Sequence, residues 1–260
     1  MPSHIFSCQE LTHLKLCGFN LLVPPNFCGF KSLLDLYLES NTYELGALQS
    51  LISCCPLLEK LSIELVQDMT SICLKNAKNL IDLRLTVNRE MVSGLIKSLP
   101  KIQRLTIQSS ELKMLYADII SPSHLISLKY LKFDCVNLDE REELLYIISV
   151  LKSASNLVEL VIQSYNYGGE REPNQPEEFE CNSCCLNQLQ TVNIKVGSSF
   201  KYAMSLIQFI LANSSSLKTL TFNVYVDYEE LDAPLLLRIS QDLLRMKRAS
   251  QKADIKFLRR

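Results

Sequence analysis

Tryptophan is absent from the 260 residues, and glycine is scarce at 7. So few glycines leave little material for phosphate-cradling loops, and neither G-x-x-x-x-G-K-[ST] nor G-x-G-x-x-G can be written anywhere in the chain. Histidine occurs only as His4, His13 and His124, which excludes an H-E-x-x-H zinc helix, and G-x-S-x-G is missing as well. Nothing catalytic is legible, so the expectation is a protein that is not an enzyme and has no cofactor or bound metal. Charge imbalance is lacking too: 27 Lys plus Arg stand against 28 Asp plus Glu, for a net charge of -1. That balance points to neither nucleic acid nor an anionic membrane as the main partner. No apolar run approaches the length of a bilayer-spanning helix. The opening "MPSHIFSCQELTHLKL" has no basic region followed by an apolar stretch, so no secretory signal is read. The ten cysteines are therefore expected as thiols in a reducing, intracellular setting, cytoplasm and/or nucleus.

What the chain does have is a recurring L-x-x-L-x-L unit. It appears as Leu11-Leu14-Leu16, Leu33-Leu36-Leu38, Leu58-Leu61-Ile63, Leu80-Leu83-Leu85 and Ile102-Leu105-Ile107. It continues as Leu128-Leu131-Phe133, Leu157-Leu160-Ile162, Leu189-Val192-Ile194 and Leu217-Leu220-Phe222, with a partial copy at Leu112-Leu115. Central residues are separated by 22, 25, 22 and 22 positions, then by 26, 29, 32 and 28. Those spacings start within the leucine-rich-repeat range and later exceed it. Side chains alternate along a strand, so Leu36 and Leu38 turn inward while Asp35 and Tyr37 turn to the opposite face. The fold expected is an α/β leucine-rich-repeat solenoid: curved, with a parallel sheet on the concave side and helices and loops on the convex side.

Several returns between strands carry a helical period. "ELGALQSLISC" aligns Leu45, Leu48, Leu51 or Ile52, and Cys55 on one face. "DEREELLYIISVLKS" aligns Leu144, Ile147, Ile148 and Leu151, with Asp139 and Glu142 suited to a helix start. "AMSLIQFILANS" is a third such segment, and Leu236, Ile239, Leu243 and Met246 mark a last one. A helix apolar on one side cannot bury its own surface, and stacking of repeats supplies the cover. Cys54 and Cys55 fall where a helix gives way to the next strand before Pro56, and are read as packing thiols. "CNSCC", Cys181 to Cys185, holds one C-x-x-C without the second ligand pair a closed zinc site needs, and is read as thiols at a loop junction. The asparagine common three positions after the last leucine is present only as Asn41 and Asn88; Phe19, Val66, Ser110 and Val136 stand elsewhere, so irregular turns are expected.

The segments "IFSCQELTHLKLCGFNLLVPPNFCGFKSLLDLYLESN", "LISCCPLLEKLSI" and "SLPKIQRLTIQSSELKML" resemble plant proteins of the F-box/FBD/leucine-rich-repeat family. "LLRMKRASQKADIKFL", residues 243–258, resembles the end of the FBD region, with Ala249 and Ser250 matching and Met246 and Lys247 departing from it. The resemblance divides the chain into a leucine-rich-repeat region at 1–185, with an acidic loop at 165–180, and an FBD-like section at 186–258 that continues the same solenoid. It implies a protein–protein interaction module corresponding to the target-recognition part of an F-box ubiquitin-ligase substrate receptor. Family members start with an F-box, and none precedes the first repeat here. The ligase adaptor is therefore expected as a partner only if an F-box is encoded upstream, and the first strand is expected to present an uncovered edge and apolar end. Two alternatives stay open: a hormone-like small-molecule sensor, and a truncated paralogue without function.

Candidate contact residues lie on the outward row of the sheet. Tyr37, Arg84, Arg104, Tyr130 and Lys132 are the expected partner-binding residues, Tyr and Arg because they are over-represented among energetic hot spots. The partner expected is a protein of unknown identity, with no membrane. The basic tail, Arg245 to Arg260, reads as the wet face of a last helix plus a strand, with no aromatic platform for nucleic-acid bases.

Overall fold

The computed structural model describes residues 3–24, 26–43, 46–64, 74, 76–86, 101–108, 125–164, 186–197, 201–225 and 233–259. The chain divides into two compact units, Met1–Gln108 and Ser109–Arg260. The acidic loop at 165–180, the "CNSCC" cluster, the partial Leu112-Leu115 repeat and Asn88 lie outside the described residues. Each unit is built as an α/β leucine-rich repeat.

In the first unit the strands are β1 (His13–Cys17), β2 (Asn20–Leu21), β3 (Asp35–Glu39), β4 (Thr42–Tyr43), β5 (Lys60–Glu64), β6 (Asp82–Thr86) and β7 (Arg104–Gln108). The five long strands run parallel in the order β1-β3-β5-β6-β7, while β2 and β4 form a separate small parallel pair. Register follows the leucines: Leu14 lies beside Leu36, Leu36 beside Leu61, Leu61 beside Leu83 and Leu83 beside Leu105. The second leucine of each motif stacks likewise, and Leu16, Leu38, Ile63, Leu85 and Ile107 are all buried. Every such side chain taken fully out of water contributes about 1.5–3 kcal/mol before the entropy of ordering it is deducted. One carbonyl just ahead of each strand accepts two successive amides of the next repeat. Thr12 takes those of Leu34 and Asp35, Leu34 takes those of Glu59 and Lys60, and Glu59 takes those of Ile81 and Asp82. This shared acceptor locks adjacent coils in register.

The expected helix between β4 and β5 is the short α1 (Ala47–Ser53), which buries Ala47, Leu48, Leu51 and Ile52. It stops at Cys54, whose amide reaches back to the carbonyls of Ser50 and Leu51. Pro56 could not continue the ladder. Cys55 is buried, its thiol 3.2 Å from the Leu51 carbonyl, and burial pushes its pKa up to about 11. That makes it a packing residue rather than a nucleophile. The neighbouring loop approaches so closely that a Cβ on Gly29 would sit 2.0 Å from the Cys54 carbonyl oxygen, and Gly29 also has a φ of 91°. Only glycine fits there.

The expected bare end beside β1 is in part covered. Phe6, from a short 3₁₀ turn at Ser3–Ser7, lies 4.9 Å edge-on from Phe27, which lies 4.9 Å from the buried Phe30. Phe6 itself is only 8% exposed. The sequence reading missed this trio because its members are spread over the loops flanking the first repeat. Leu14 of β1 remains half-buried, and among the described residues β1 pairs only with β3.

In the second unit the strands are β8 (Tyr130–Asp134), β9 (Glu159–Gln163), β10 (Thr191–Val196), β11 (Thr219–Val224) and β12 (Asp254–Arg259), parallel and in chain order. The helices are α2 (Arg141–Ser153), α3 (Ala203–Asn213) and α4 (Ala233–Arg245). Helix α2 buries the anticipated Leu144, Ile147, Ile148 and Leu151, and α3 is buried along nearly its whole length. Glu142 lies in the first turn of α2, as expected. The Asp139 carboxylate accepts the Lys201 amide at 2.9 Å and so ties this turn to the approach of α3. The buried Glu143 reaches back to the Asn137 amide at 2.7 Å. Both bonds join segments that local pattern does not connect. The closing strand anticipated near Ile255–Phe257 is β12.

Candidate protein-contact face

With leucines turned inward, the intervening positions of each strand form three outward rows. In the first unit the leading row is His13, Asp35, Lys60, Asp82 and Arg104, in register across neighbouring strands. From Asp35 onward its charges alternate in sign at strand spacing, about 4.8 Å. Arg104 Nε lies 3.4 Å from Asp82 Oδ2.

The middle row holds Lys15, Tyr37, Ser62 and Arg84, and the trailing row holds Cys17, Glu39 and Glu64. Together they form one polar cluster around Tyr37. The Tyr37 hydroxyl lies 3.2 Å from Glu39 Oε2 and 3.1 Å from Glu64 Oε2, and shares its proton between them. Partial burial and the Glu64 carboxylate, followed by Glu39, push the Tyr37 pKa up to about 12. Lys15 Nζ stands 4.2 Å above the Tyr37 ring and 3.9 Å from Glu39. Arg84 lies 3.6 Å from Glu64 on the other flank, and the Ser62 hydroxyl donates to the same carboxylate at 3.2 Å. Pairs with an exposed partner of this kind are worth only about 0–1 kcal/mol each. The Tyr37 ring and hydroxyl are contacted together by Lys15, Glu39 and Glu64.

Of the five expected contact residues, Tyr37, Arg84 and Arg104 share this face of the first unit. Tyr37 and Arg84 converge on Glu64, and Arg104 stands on the leading row two strands beyond β5. Tyr130 and Lys132 occupy the corresponding positions on β8 of the second unit. Lys132 is paired on its own strand: its Nζ is 2.7 Å from Asp134 Oδ2, with side chains only 23% and 19% exposed. The outward rows are not solvated throughout, because Thr106, Gln163 and Asn223 are buried. Asn223 donates to Asn193 at 3.1 Å across strands. Glu39 and Glu64 were missed by reading only the first two outward positions of each motif. Extending "DLYLE" and "KLSIE" by one more alternation finds both.

Among the described residues no group of His, Cys, Asp or Glu is arranged to hold a metal ion, and no helix is long and apolar enough to cross a membrane. A stacked aliphatic interior under rows of weakly paired polar side chains defines a leucine-rich-repeat interaction module.

Sequence comparison places it further. The model described as "FBD-associated F-box protein At5g56370, LRR repeats" matches residues 1–139, more than half of the chain, and the FBD model matches residues 183–222. The chain belongs to the FBD-associated F-box family of leucine-rich-repeat proteins. Among its relatives in Arabidopsis thaliana, the F-box/FBD/LRR-repeat protein At1g13570 is 26% identical over 298 aligned positions, covering 99% of this chain and 70% of that protein. The FBD-associated F-box protein At5g60610 is 26% identical over 249 positions, covering 89% of this chain and 56% of its own length. F-box/LRR-repeat protein 13 is 42% identical over 66 positions, 25% of this chain and 14% of that protein. The family is one of protein-interaction modules.

Proposed function

We propose that this chain is the target-recognition part of an F-box ubiquitin-ligase substrate receptor. The observation that carries this reading is the Tyr37 cluster: an aromatic hydroxyl fixed between Glu39 and Glu64, with Lys15 and Arg84 on its flanks. An aromatic and an arginine held on a rigid strand, each with a charge that can be re-paired, suit recognition of a folded protein surface of mixed charge. Arg104 is a further contact residue of the first unit, and Tyr130 and Lys132 are contact residues of the second. In this reading residues 1–185 are the repeat region and 186–258 the FBD-like section of the same solenoid. The ligase adaptor is a partner only if an F-box is encoded upstream, and the protein works with reduced thiols in the cytoplasm or nucleus.

The test is affinity capture from plant cell extract, comparing the wild type with a Tyr37→Ala/Arg84→Ala double variant of unchanged melting temperature. A target bound by the wild type and lost by the variant, together with accumulation of that target when the ligase is inhibited, supports the proposal. Equal recovery by both proteins overturns the assignment of the face. A bound target whose abundance ignores ligase inhibition overturns the receptor role.

A further inference from the structure

Among the described residues β12 is the outermost strand of its sheet. Nothing among the described residues pairs with the far side of β12, and the Asp254 amide donates to the Lys218 carbonyl at 2.9 Å on the near side. Backbone alternation then turns the amides and carbonyls of Ile255 and Phe257 to the open edge. Their counterparts one strand inward, Leu220 and Phe222, are fully buried, whereas Ile255 and Phe257 are half-exposed. A groove of about 360 Å³ lies between this strand and α4, lined by Leu243, Leu244, Arg248, Ala253, Ile255 and Phe257, with Ser240 and Asp254 at its margins. Of the apolar side chains of α4 only Ile239 and Leu243 are buried, whereas Leu244, which lines the groove, is 74% exposed and Leu237, one heptad earlier, is 59% exposed.

The rim of the groove is cationic. Arg248 is among the groove's lining residues, and Lys252, Lys256 and Arg259 stand exposed just before or on β12. Arg245 and Lys247 stand exposed where α4 ends, and the strand's own carboxylate, Asp254, is held by Lys256 at 3.3 Å. A second copy of the chain is a poor occupant, since pairing two β12 edges would bring two such rims within a Debye length of each other, about 8 Å. Unpaired strand edges accept extended segments, with side chains of alternate residues seated in adjoining pockets. We propose that the free edge of β12 binds an extended acidic segment of another polypeptide. The segment adds to the sheet as a further strand, places apolar side chains two residues apart over Ile255 and Phe257, and sets its carboxylates against the cationic rim. This site is independent of the Tyr37 face and stands or falls separately.

The probe is a fluorescein-labelled peptide of alternating glutamate and valine, followed by fluorescence anisotropy, with a lysine–valine peptide as control. Expected are binding of the glutamate peptide alone, weakening with added salt, and at least an about fivefold loss of affinity in Leu244→Asp and in Arg259→Glu. Both side chains are exposed, so both variants should melt as the wild type does. Amide hydrogen exchange supplies the readout specific to strand addition: Ile255 and Phe257 exchange fast in the free protein and slow down with the peptide bound. Equal binding of the lysine peptide overturns the proposal. So does unchanged exchange at those two amides on saturation, or light scattering that shows a dimer whose β12 amides are already protected.

Discussion

Replacing Asn41 with alanine should cost about 2–3 kcal/mol, because one side chain supports two turns of backbone in the preceding repeat. Asn41 is 2% exposed; its amide donates to the Leu16 carbonyl at 2.9 Å and its carbonyl accepts the Phe19 amide at 2.9 Å. The Gly18 amide donates to the Glu39 carbonyl, which by parallel register gives the Leu16 carbonyl a second partner in the Glu39 amide. Losing Asn41 therefore leaves that carbonyl half-satisfied, at about 1 kcal/mol, and leaves the half-buried Phe19 amide to water, at about another 1 kcal/mol. The small cavity adds the remainder. Asn41→Asp should be worse than Asn41→Ala at neutral pH, since a second carboxylate oxygen would face the Leu16 carbonyl. Such a carboxyl is more basic in the folded state than in the unfolded one. Its penalty is thus full at neutral pH and fades on acidification, once protonation restores a donor. Urea unfolding followed by circular dichroism measures all three proteins. A change below about 0.5 kcal/mol in Asn41→Ala, or Asn41→Asp matching the wild type at neutral pH, would refute the bridging role.

Three further outcomes follow from the geometry. Gly29→Ala should destabilise severely, by about 3 kcal/mol or more, because its Cβ meets the Cys54 carbonyl at 2.0 Å. Gly18→Ala, at φ 70° in open space, should cost only about 1 kcal/mol, and thermal melts of the pair check the contrast. Arg104→Ala should lose no more than about 1 kcal/mol, the worth of an exposed pair with Asp82; a collapsed melt would make Arg104 structural. Alkylation at pH 8 with peptide mapping should modify the exposed Cys8 and Cys28 and spare Cys55, whose thiol is held near 11 by burial. The unfolded thiol ionises from its ordinary value of 9.0, so Cys55 contributes stability that is lost as pH rises from there through about 11.

The nine leucine motifs predicted nine strands, β1, β3 and β5 to β11, because period-two alternation is a local property that any reader of the chain can follow. Helices α1 to α4 were legible for the same reason at period 3.6. What escaped is contact across the coils. Asn41, like Asn88, was legible at its motif position, yet its partners Leu16 and Phe19 lie more than twenty residues earlier. The Phe6–Phe27–Phe30 trio, the Asp139–Lys201 link and the β2–β4 pair belong to the same class. At the candidate face, Tyr37, Arg84 and Arg104 were found from residue type and alternation. Which side chains each carboxylate holds needed register: Glu64 serves Tyr37 and Arg84 from the strand between theirs.

Adjacent substitutions on β5 test the account most directly, because Leu61 and Ser62 differ only in which face of the strand they occupy. Leu61 is 1% exposed, and Ser62 lies beside Glu64 on the outward side. Thermal melts should show Leu61→Lys unfolded, from an unpaired charge in the stacked interior, and Ser62→Lys within about 0.5 kcal/mol of the wild type. Two variants that melt alike would contradict the division into an aliphatic core and a free polar face.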